Sequence, residues 1–198
     1  IEFVEAKVSQ EHLADFINEN HIDALLVRSA TQVPQELIDD CPSLKIIGRG
    51  GVGMDNIDVE YAIEKGLFVI NTPNASSRSV AEIVFAHFFS LARFLHESNR
   101  LMPLEGDTHF NAMKKSFSKA IELEGKTLGV IGFGGIGKEV VKMGISLGMK
   151  VKVLTRKPKT ETISLEFFDG QKLNFEITST NNFDEFLKDT DFISINTP

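Results

Sequence analysis

Residues 127–141 read TLGVIGFGGIGKEVV, an apolar segment that runs into G-x-G-x-x-G and then into an amphipathic segment. This order predicts a strand, a tight turn and a helix. In such a turn Gly132 allows the sharp bend, Gly134 lets the backbone approach a pyrophosphate, and Gly137 lets the helix pack on the strand. The first helical turn offers N–H groups to the phosphates. The alternative is a tight turn without a ligand, but the strand–turn–helix context favours a dinucleotide site.

The end of the next predicted strand, Val151–Leu154, bears on the choice of dinucleotide. In NAD-binding units an Asp or Glu closes this strand and accepts hydrogen bonds from the ribose. Here the strand is followed by Thr155, Arg156 and Lys157, with no acid. A small hydroxyl followed by two cations suits the 2′-phosphate of NADP better than a bare diol. The other interpretation is a solvated basic turn, so the cofactor is predicted to be NAD or NADP.

Composition limits the class of protein. The 198 residues are 42% hydrophobic and 25% charged, which is enough to build a core, and the net charge is −7. This charge argues against a nucleic-acid partner or an acidic membrane surface. The one cysteine, Cys41, excludes a disulfide framework and indicates a reducing compartment. No signal peptide or run of 18 apolar residues appears, so we expect a cytoplasmic protein, and no metal site is indicated.

Strand and helix patterns alternate through the first half of the chain. The predicted strands are Ile1–Val4, Ala24–Val27, Lys45–Gly48 and Phe68–Ile70, and the predicted helices are Gln10–Asn20, Pro34–Asp40 and Val59–Lys65. This alternation predicts an α/β fold with parallel sheets covered by helices on both faces.

Four further segments follow. Ser77–Phe94 is predicted to be a helix that is apolar nearly all round, which a single small domain cannot cover, so we expect a homodimer or higher homo-oligomer. Leu101–Ala120 is polar and is predicted to be a connection or exposed arm. Asp169-Gly170 between alternating apolar residues predicts a hairpin within Ile163–Thr178. Phe192–Asn196 is predicted to be a third strand of the second domain.

Five motifs in order carry a family resemblance. They are VRSAT at 27–31, GRGGVGMDNID at 48–58, VINTPNASS at 69–77, SVAE at 79–82 and GKTLG at 125–129, just before the glycine turn. Together they resemble the D-isomer-specific 2-hydroxyacid dehydrogenases, most of all the phosphoglycerate-oxidising members, over nearly the whole chain.

The resemblance implies an architecture and a reaction. Residues 1–95 would form a flavodoxin-like substrate domain without its first strand and helix, and residues 96–198 a Rossmann NAD(P)-binding domain without its C-terminal part. The family transfers a hydride between a nicotinamide and C2 of a small acidic substrate, a D-2-hydroxy acid, in the cleft between the domains. The leading expectation is oxidation of 3-phospho-D-glycerate in serine biosynthesis. The alternatives are an NADPH-dependent glyoxylate or hydroxypyruvate reductase, another 2-oxoacid reductase, and a non-catalytic nucleotide-sensing scaffold.

The resemblance also assigns site residues. Substrate binding falls to Arg28, Ser29, Arg49, Gly51, Val52, Gly53 and Asn74, with Val52 also facing the nicotinamide. Cofactor binding falls to Gly132, Gly134, Gly135, Ile136, Gly137, Thr155, Arg156, Lys157, Thr197 and Pro198. The alternative for Arg28 and Arg49 is a structural ion pair.

The chain also departs from the family pattern. Thr155 replaces the usual Asp, Asn196 stands where a His is common, and the Asp169-Gly170 hairpin is longer than the usual connection. The family's catalytic Arg, Glu and His belong to motifs expected C-terminal to Pro198. None of the five histidines lies in a matching motif, so we assign no catalytic residue within this chain and expect the 198 residues alone to be inert.

Overall fold

The computed structural model describes residues 2–197 and divides the chain into two compact units, residues 1–76 and 77–198. The sequence had suggested a boundary between residues 95 and 96. The long helix that follows Ser76 instead belongs to the second unit, because its buried Phe85 and Phe88 are part of that unit's hydrophobic core.

The first unit is a three-stranded parallel sheet with short helices between the strands. Its strands are β1 (Ala24–Val27), β2 (Ile46–Arg49) and β3 (Phe68–Asn71), in the order β1-β2-β3. Its helices are a 3-10 turn (Gln10–His12), α1 (Leu13–Glu19), α2 (Gln35–Asp40) and α3 (Val59–Glu64). Ile17, Val33 and Ile47 are almost fully buried in its core. The three predicted strands from Ala24 onward and their helices are confirmed. Helices on both faces were expected, but one face of this sheet is open in the described residues, where Leu26, Phe68 and Ile70 are 65%, 73% and 55% exposed.

The expected first strand, Ile1–Val4, is wrong for the residues that are described. Residues 2–4 belong to no strand, and the side chain of Phe3 is 82% exposed. Strand backbone needs a neighbouring strand to pair with, and none lies beside these residues in the described part of the chain. Ile1 itself lies outside the described residues.

The second unit is built on another three-stranded parallel sheet. Its strands β4 (Thr127–Ile131), β5 (Lys150–Leu154) and β8 (Phe192–Ile195) lie in the order β5-β4-β8. Its helices are α4 (Ser77–Arg93), α5 (Leu95–Ser116), a 3-10 turn (Phe117–Lys119), α6 (Gly135–Ser146) and α7 (Phe183–Leu187). Leu128, Val130, Val140 and Val141 are fully buried between β4 and α6 and form the centre of the core. Strand β4 lies at the centre of this sheet, and α6 crosses over to its parallel neighbour β5, as in the βαβ units of doubly wound α/β folds.

Between β5 and α7 the chain makes an antiparallel hairpin, β6 (Thr160–Glu166) and β7 (Lys172–Thr178). Its turn has Gly170 at φ +82°, and Asp169 Oδ1 accepts a hydrogen bond from Gln171 N at 3.0 Å. The hairpin predicted from Asp169-Gly170 is therefore confirmed, with the glycine at the left-handed position that such turns require.

Residues 101–120 are not the polar connection that was expected. Helix α5 continues to Ser116 and contains Pro103, with a local departure from helical geometry at His109 (φ −119°, ψ 17°). The segment is rich in strong helix formers such as Leu, Met, Glu and Lys, whose summed propensity outweighs one proline. Among the described residues, no helix has the length and apolarity needed to cross a bilayer.

Candidate functional site

The glycine turn joins β4 to α6, as its sequence predicted. Gly132 has φ +93°, and a Cβ there would lie 2.7 Å from the Asn196 carbonyl oxygen. A Cβ on Gly137 would overlap the carbonyl oxygen of Gly132. Both residues must therefore be glycine for reasons internal to the fold: one for its backbone conformation and one for the close approach of helix to strand.

Gly134 differs from these two glycines. Its backbone is extended (φ −85°, ψ −164°), it is exposed, and a Cβ built on it would meet nothing within 4 Å. Neither conformation nor packing within the described chain demands glycine there. The open space lies in front of the first turn of α6, where no side chain of the described residues caps the helix. The N–H groups of this first turn lack intrahelical acceptors, so a pyrophosphate fits the space, held by the backbone of Gly134, Gly135 and Ile136.

The turn after β5 lies directly beside the glycine turn. Ile131 pairs with Leu154, and Gly132 N donates to the Leu154 carbonyl at 3.0 Å. Arg156 and Lys157 are exposed, and neither forms a salt bridge within residues 2–197. Thr155 is half-buried and donates its hydroxyl to the Lys157 carbonyl at 2.8 Å. The two cations are thus available to an anion at this edge of the sheet, whereas the Thr155 hydroxyl is engaged within the protein.

The end of β8 completes this edge. Asn196 N donates to the Ile131 carbonyl at 2.8 Å, and the Thr197 side chain lies close enough to Gly132 to contact a Cβ placed there. Thr197 is exposed and adjoins the glycine turn, as expected for a cofactor contact. Pro198, also expected to contact the cofactor, lies outside the described residues.

A charged cluster beside the glycine turn was not found from the sequence. The Glu161 carboxylate, on β6, forms salt bridges with both Lys138 and Lys159. The two ammonium groups lie 5.8 Å and 5.6 Å from the ring centre of Phe133, which is the variable residue after the first glycine of the turn. These hydrogen bonds lower the pKa of Glu161 below its usual 4.5. No local sequence pattern predicts the cluster, because its members come from a turn, a helix and a hairpin.

In the first unit, Arg49 ends β2 with its side chain only 11% exposed. Its Nη1 donates to Asp55 Oδ1 at 2.7 Å, and this bond lowers the pKa of Asp55. Its Nε is buried and has no hydrogen-bond partner within residues 2–197. A buried guanidinium N–H without an acceptor is costly, so Arg49 combines the structural ion pair with an unsatisfied donor.

The loop after β2 is held in place by backbone-directed bonds. Gly50 N donates to the Val27 carbonyl at 2.9 Å, and Thr72 N donates to the Gly51 carbonyl at 3.1 Å. Asn71 Nδ2 donates to the Val52 carbonyl at 2.8 Å, a role that the sequence did not indicate. The loop through Gly53 therefore has a defined path, and the side chain of Val52 is 43% exposed on it.

The remaining predicted substrate residues lie on the exposed loops at the same edge of this sheet. Arg28 and Ser29 follow β1, and both side chains are exposed. Buried Asn56 donates from Nδ2 to the carbonyls of Arg28 (3.0 Å) and Thr31 (2.6 Å), which fixes the backbone of the loop. Asn74 is exposed after β3. The carboxyl ends of parallel strands thus gather these residues at one edge, the usual place for a ligand in such sheets.

Comparison with known proteins identifies the class. Residues 1–191 match the family model described as D-isomer specific 2-hydroxyacid dehydrogenase, catalytic domain. The chain belongs to this family of oxidoreductases, as the five motifs had indicated.

Among curated relatives, the chain is 40% identical to hydroxypyruvate reductase of Thermotoga maritima, over 98% of this chain and 58% of that protein. It is 36% identical to D-3-phosphoglycerate dehydrogenase of Bacillus subtilis, over 100% of this chain and 34% of that protein. The chain therefore spans roughly a third to three fifths of the length of these relatives.

Solved structures give the same fold. D-lactate dehydrogenase from Aquifex aeolicus, complexed with NAD and lactic acid, matches 97% of this chain with 51% of its own, at 31% identity and a TM-score of 0.61. An acyclic imino acid reductase in complex with NADPH and D-Arg matches 96% of this chain with 55% of its own, at 24% identity and a TM-score of 0.66. Proteins of this fold thus bind either nicotinamide dinucleotide.

Proposed function

We propose that the protein transfers a hydride between NAD or NADP and C2 of a D-2-hydroxy acid. The observation that carries the proposal is Gly134, a glycine that the fold itself does not require and that opens the space before the uncapped α6. Gly132 and Gly137 are explained by backbone conformation and packing, but Gly134 is explained by a ligand. A phosphate there accepts backbone N–H bonds and lies at the positive end of the helix.

Each unit binds one of the two ligands: the second unit binds the dinucleotide, and the first unit binds the acidic substrate. When bound, the nicotinamide accepts or delivers the hydride. The backbone of Gly134, Gly135 and Ile136 holds the pyrophosphate, with Thr197 beside them. In the first unit the Arg49 guanidinium binds the substrate's acidic group, and exposed Arg28 adds a second cation. The Gly51 N–H is engaged with the Arg49 carbonyl at 3.0 Å, so the backbone of Val52 and Gly53 offers N–H groups to the carboxylate.

The leading substrate is 3-phospho-D-glycerate, oxidised to 3-phosphohydroxypyruvate in serine biosynthesis. Two arginines at one sheet edge suit a substrate that carries both a carboxylate and a phosphate. The relative from Bacillus subtilis, matched over the whole of this chain, supports this choice. The alternative is reduction of hydroxypyruvate, glyoxylate or another 2-oxoacid with NADPH. It is favoured by the relative from Thermotoga maritima and by Arg156 and Lys157, two cations without an acidic partner within residues 2–197.

A non-catalytic, nucleotide-sensing scaffold is the alternative of another class. It would use the same glycine turn but would need no buried substrate arginine. The unsatisfied Nε of Arg49 argues against it, since a scaffold gains nothing from that cost.

We also propose a cytoplasmic homodimer built on α4 and α5. One side of α4 is buried in its own unit, but Ile83, Phe89 and Leu91 on the other are 54%, 37% and 72% exposed. Leu104 and Phe110 of α5 are likewise 75% and 51% exposed. Apolar side chains in this number on two adjacent helices are typical of an interface.

The test is a comparison of binding and turnover in the full-length protein. NADH and NADPH are first titrated by calorimetry. The oxidation of each is then followed while the concentration of 3-phosphohydroxypyruvate, hydroxypyruvate or glyoxylate is varied. The proposal expects binding of at least one nucleotide and the highest kcat/KM for one of these acids, with 3-phosphohydroxypyruvate first. Binding without turnover of any of them would favour the scaffold, and absence of binding would refute the dinucleotide site.

A further inference from the structure

The hairpin β6–β7 is anchored to the second unit at its base. Ile163 of β6 is 2% exposed within the core, and Ile177 of β7 packs against the same core. After β7 the chain returns to the end of β5, where Thr155 N donates to the Thr180 carbonyl at 2.9 Å. The last residue before this return, Ser179, is 2% exposed and therefore lies beneath the turn that carries Arg156 and Lys157.

Ser179 ties that turn together with its hydroxyl. Its Oγ lies 2.7 Å from Thr155 Oγ1, accepts a hydrogen bond from Lys159 N at 2.9 Å and lies 3.1 Å from the Lys159 carbonyl. A hydroxyl carries one proton. Either hydroxyl can be the donor in the Thr155–Ser179 contact, since each also has a backbone carbonyl within reach, Lys157 for Thr155 and Lys159 for Ser179. Residues 155–159 are thus held at both ends by one buried side chain that lies 24 positions away from Thr155.

The neighbouring cations are already paired with an acid, although one carboxylate shared by two lysines leaves one positive charge. Lys138 and Lys159 share the Glu161 carboxylate and lie against the Phe133 ring. Arg156 and Lys157 have no acidic partner in the described part of the chain. An anion that arrives at this edge therefore meets two available positive charges, and both are carried by the turn that Ser179 holds.

We propose that Ser179 is a positioning residue that sets the preference between NADP and NAD, by holding Arg156 and Lys157 where the 2′-phosphate of adenosine arrives. This rests on the proposed dinucleotide site. Thr155 then acts through the backbone of the turn rather than by contact with the ribose. A residue that only supported the fold would affect both nucleotides alike, because they differ in the 2′-phosphate alone.

The test is equilibrium binding of NADPH and NADH to the full-length protein, by calorimetry, without turnover. Ser179→Ala is expected to raise the Kd for NADPH about tenfold, the loss of one charge-assisted contact, and the Kd for NADH less than about threefold. Thr155→Val removes the same hydroxyl contact from its other side and should show the same selective loss of affinity for NADPH. The double variant should be no worse than either single variant, because the two side chains act as one unit.

Thr178→Ala is the matched control. It removes a 2.9 Å hydroxyl contact between Thr160 and Thr178 that is adjacent to Ser179 but makes no bond to residues 155–159, so both affinities should remain those of the wild type. Equal weakening of both nucleotides by Ser179→Ala, no change in either, or a wild type that binds NADH alone would overturn the role of Ser179. Should Ser179→Ala fail to fold, Thr155→Val decides by the same ratio of affinities. A wild type that binds neither nucleotide would instead refute the proposed function.

Discussion

The three glycines of the turn should respond differently to alanine, and the difference separates folding from ligand binding. Gly137→Ala places a methyl group against the Gly132 carbonyl oxygen and 3.5 Å from Val130 Cγ1, so α6 must move away from β4. Overpacking of this kind costs about 1–3 kcal/mol, which corresponds to a fall in Tm of roughly 2–12 °C for a protein of this size or larger. Gly134→Ala meets no atom within 4 Å and keeps an allowed backbone, so its Tm should stay near that of the wild type.

The binding of dinucleotide should show the opposite order. The added methyl of Gly134→Ala enters the space assigned to the pyrophosphate and displaces it from the N–H groups of α6. Losing one such hydrogen bond to a charged group costs about 1.5–3 kcal/mol, so the Kd for NADH or NADPH should rise about 10- to 150-fold. Thermal melting and calorimetry on the full-length variants measure the two effects separately.

Gly106→Ala is the control for the substitution itself. Gly106 lies inside α5, where a Cβ would make ordinary contact with the Met102 side chain, so alanine should raise stability by up to about 1 kcal/mol and leave binding unchanged. If Gly134→Ala binds both nucleotides as tightly as the wild type, the space before α6 is not the pyrophosphate site and the reasoning fails.

Three further results are expected. Arg49→Ala should raise KM for the acidic substrate about 10- to 150-fold through the loss of a charge-assisted bond. The control Arg78→Ala, which removes the exposed Arg78–Glu82 salt bridge at 3.3 Å, should leave KM unchanged. If kcat/KM of Arg49→Ala equals that of the wild type, Arg49 is purely structural. Leu91→Glu should convert a dimer to monomers by light scattering, whereas Ile63→Glu, equally apolar and 59% exposed on the first unit, should not; a dimer that survives Leu91→Glu contradicts the interface on α4. Glu161→Gln should lower Tm at pH 7. Since the pKa of Glu161 is lowered in the folded state, its stabilising contribution is lost as the pH falls below 4.5 and through the folded pKa, and the two Tm values should converge there; a constant difference down to pH 3 would contradict this.

Local chemistry was enough for most of the fold. The strands of both sheets are short apolar runs bounded by polar turns, and such runs can be predicted without knowing which strands they pair with. The glycine turn and the Asp169-Gly170 hairpin could also be predicted, because the positive φ that each turn requires is a conformation that glycine adopts readily. The family followed from five such segments in order.

Three predictions from local sequence were wrong, because the structure of those segments depends on residues that are distant in the chain or on the whole length of the segment. Phe3 and Val4 are apolar but form no strand, since strand formation needs a pairing edge elsewhere in the chain. Pro103 suggested a break, but the helix formers along α5 outweigh it. The whole of α4 was assigned to the first domain, yet its buried phenylalanines pack into the second core.

By itself the sequence determined the α/β class, the order of the strands along the chain, the dinucleotide turn and the family. The tertiary structure alone decided how the predicted site residues are held. It paired Arg49 with Asp55 while leaving its Nε unsatisfied, brought Glu161 to Lys138 and Lys159, and engaged the Thr155 hydroxyl with Ser179. The physical reason is the sequence separation over which each kind of interaction acts. Backbone preference and hydrophobic period act between near neighbours in sequence, whereas hydrogen bonds and ion pairs join any groups that the packing of the core brings within about 3 Å.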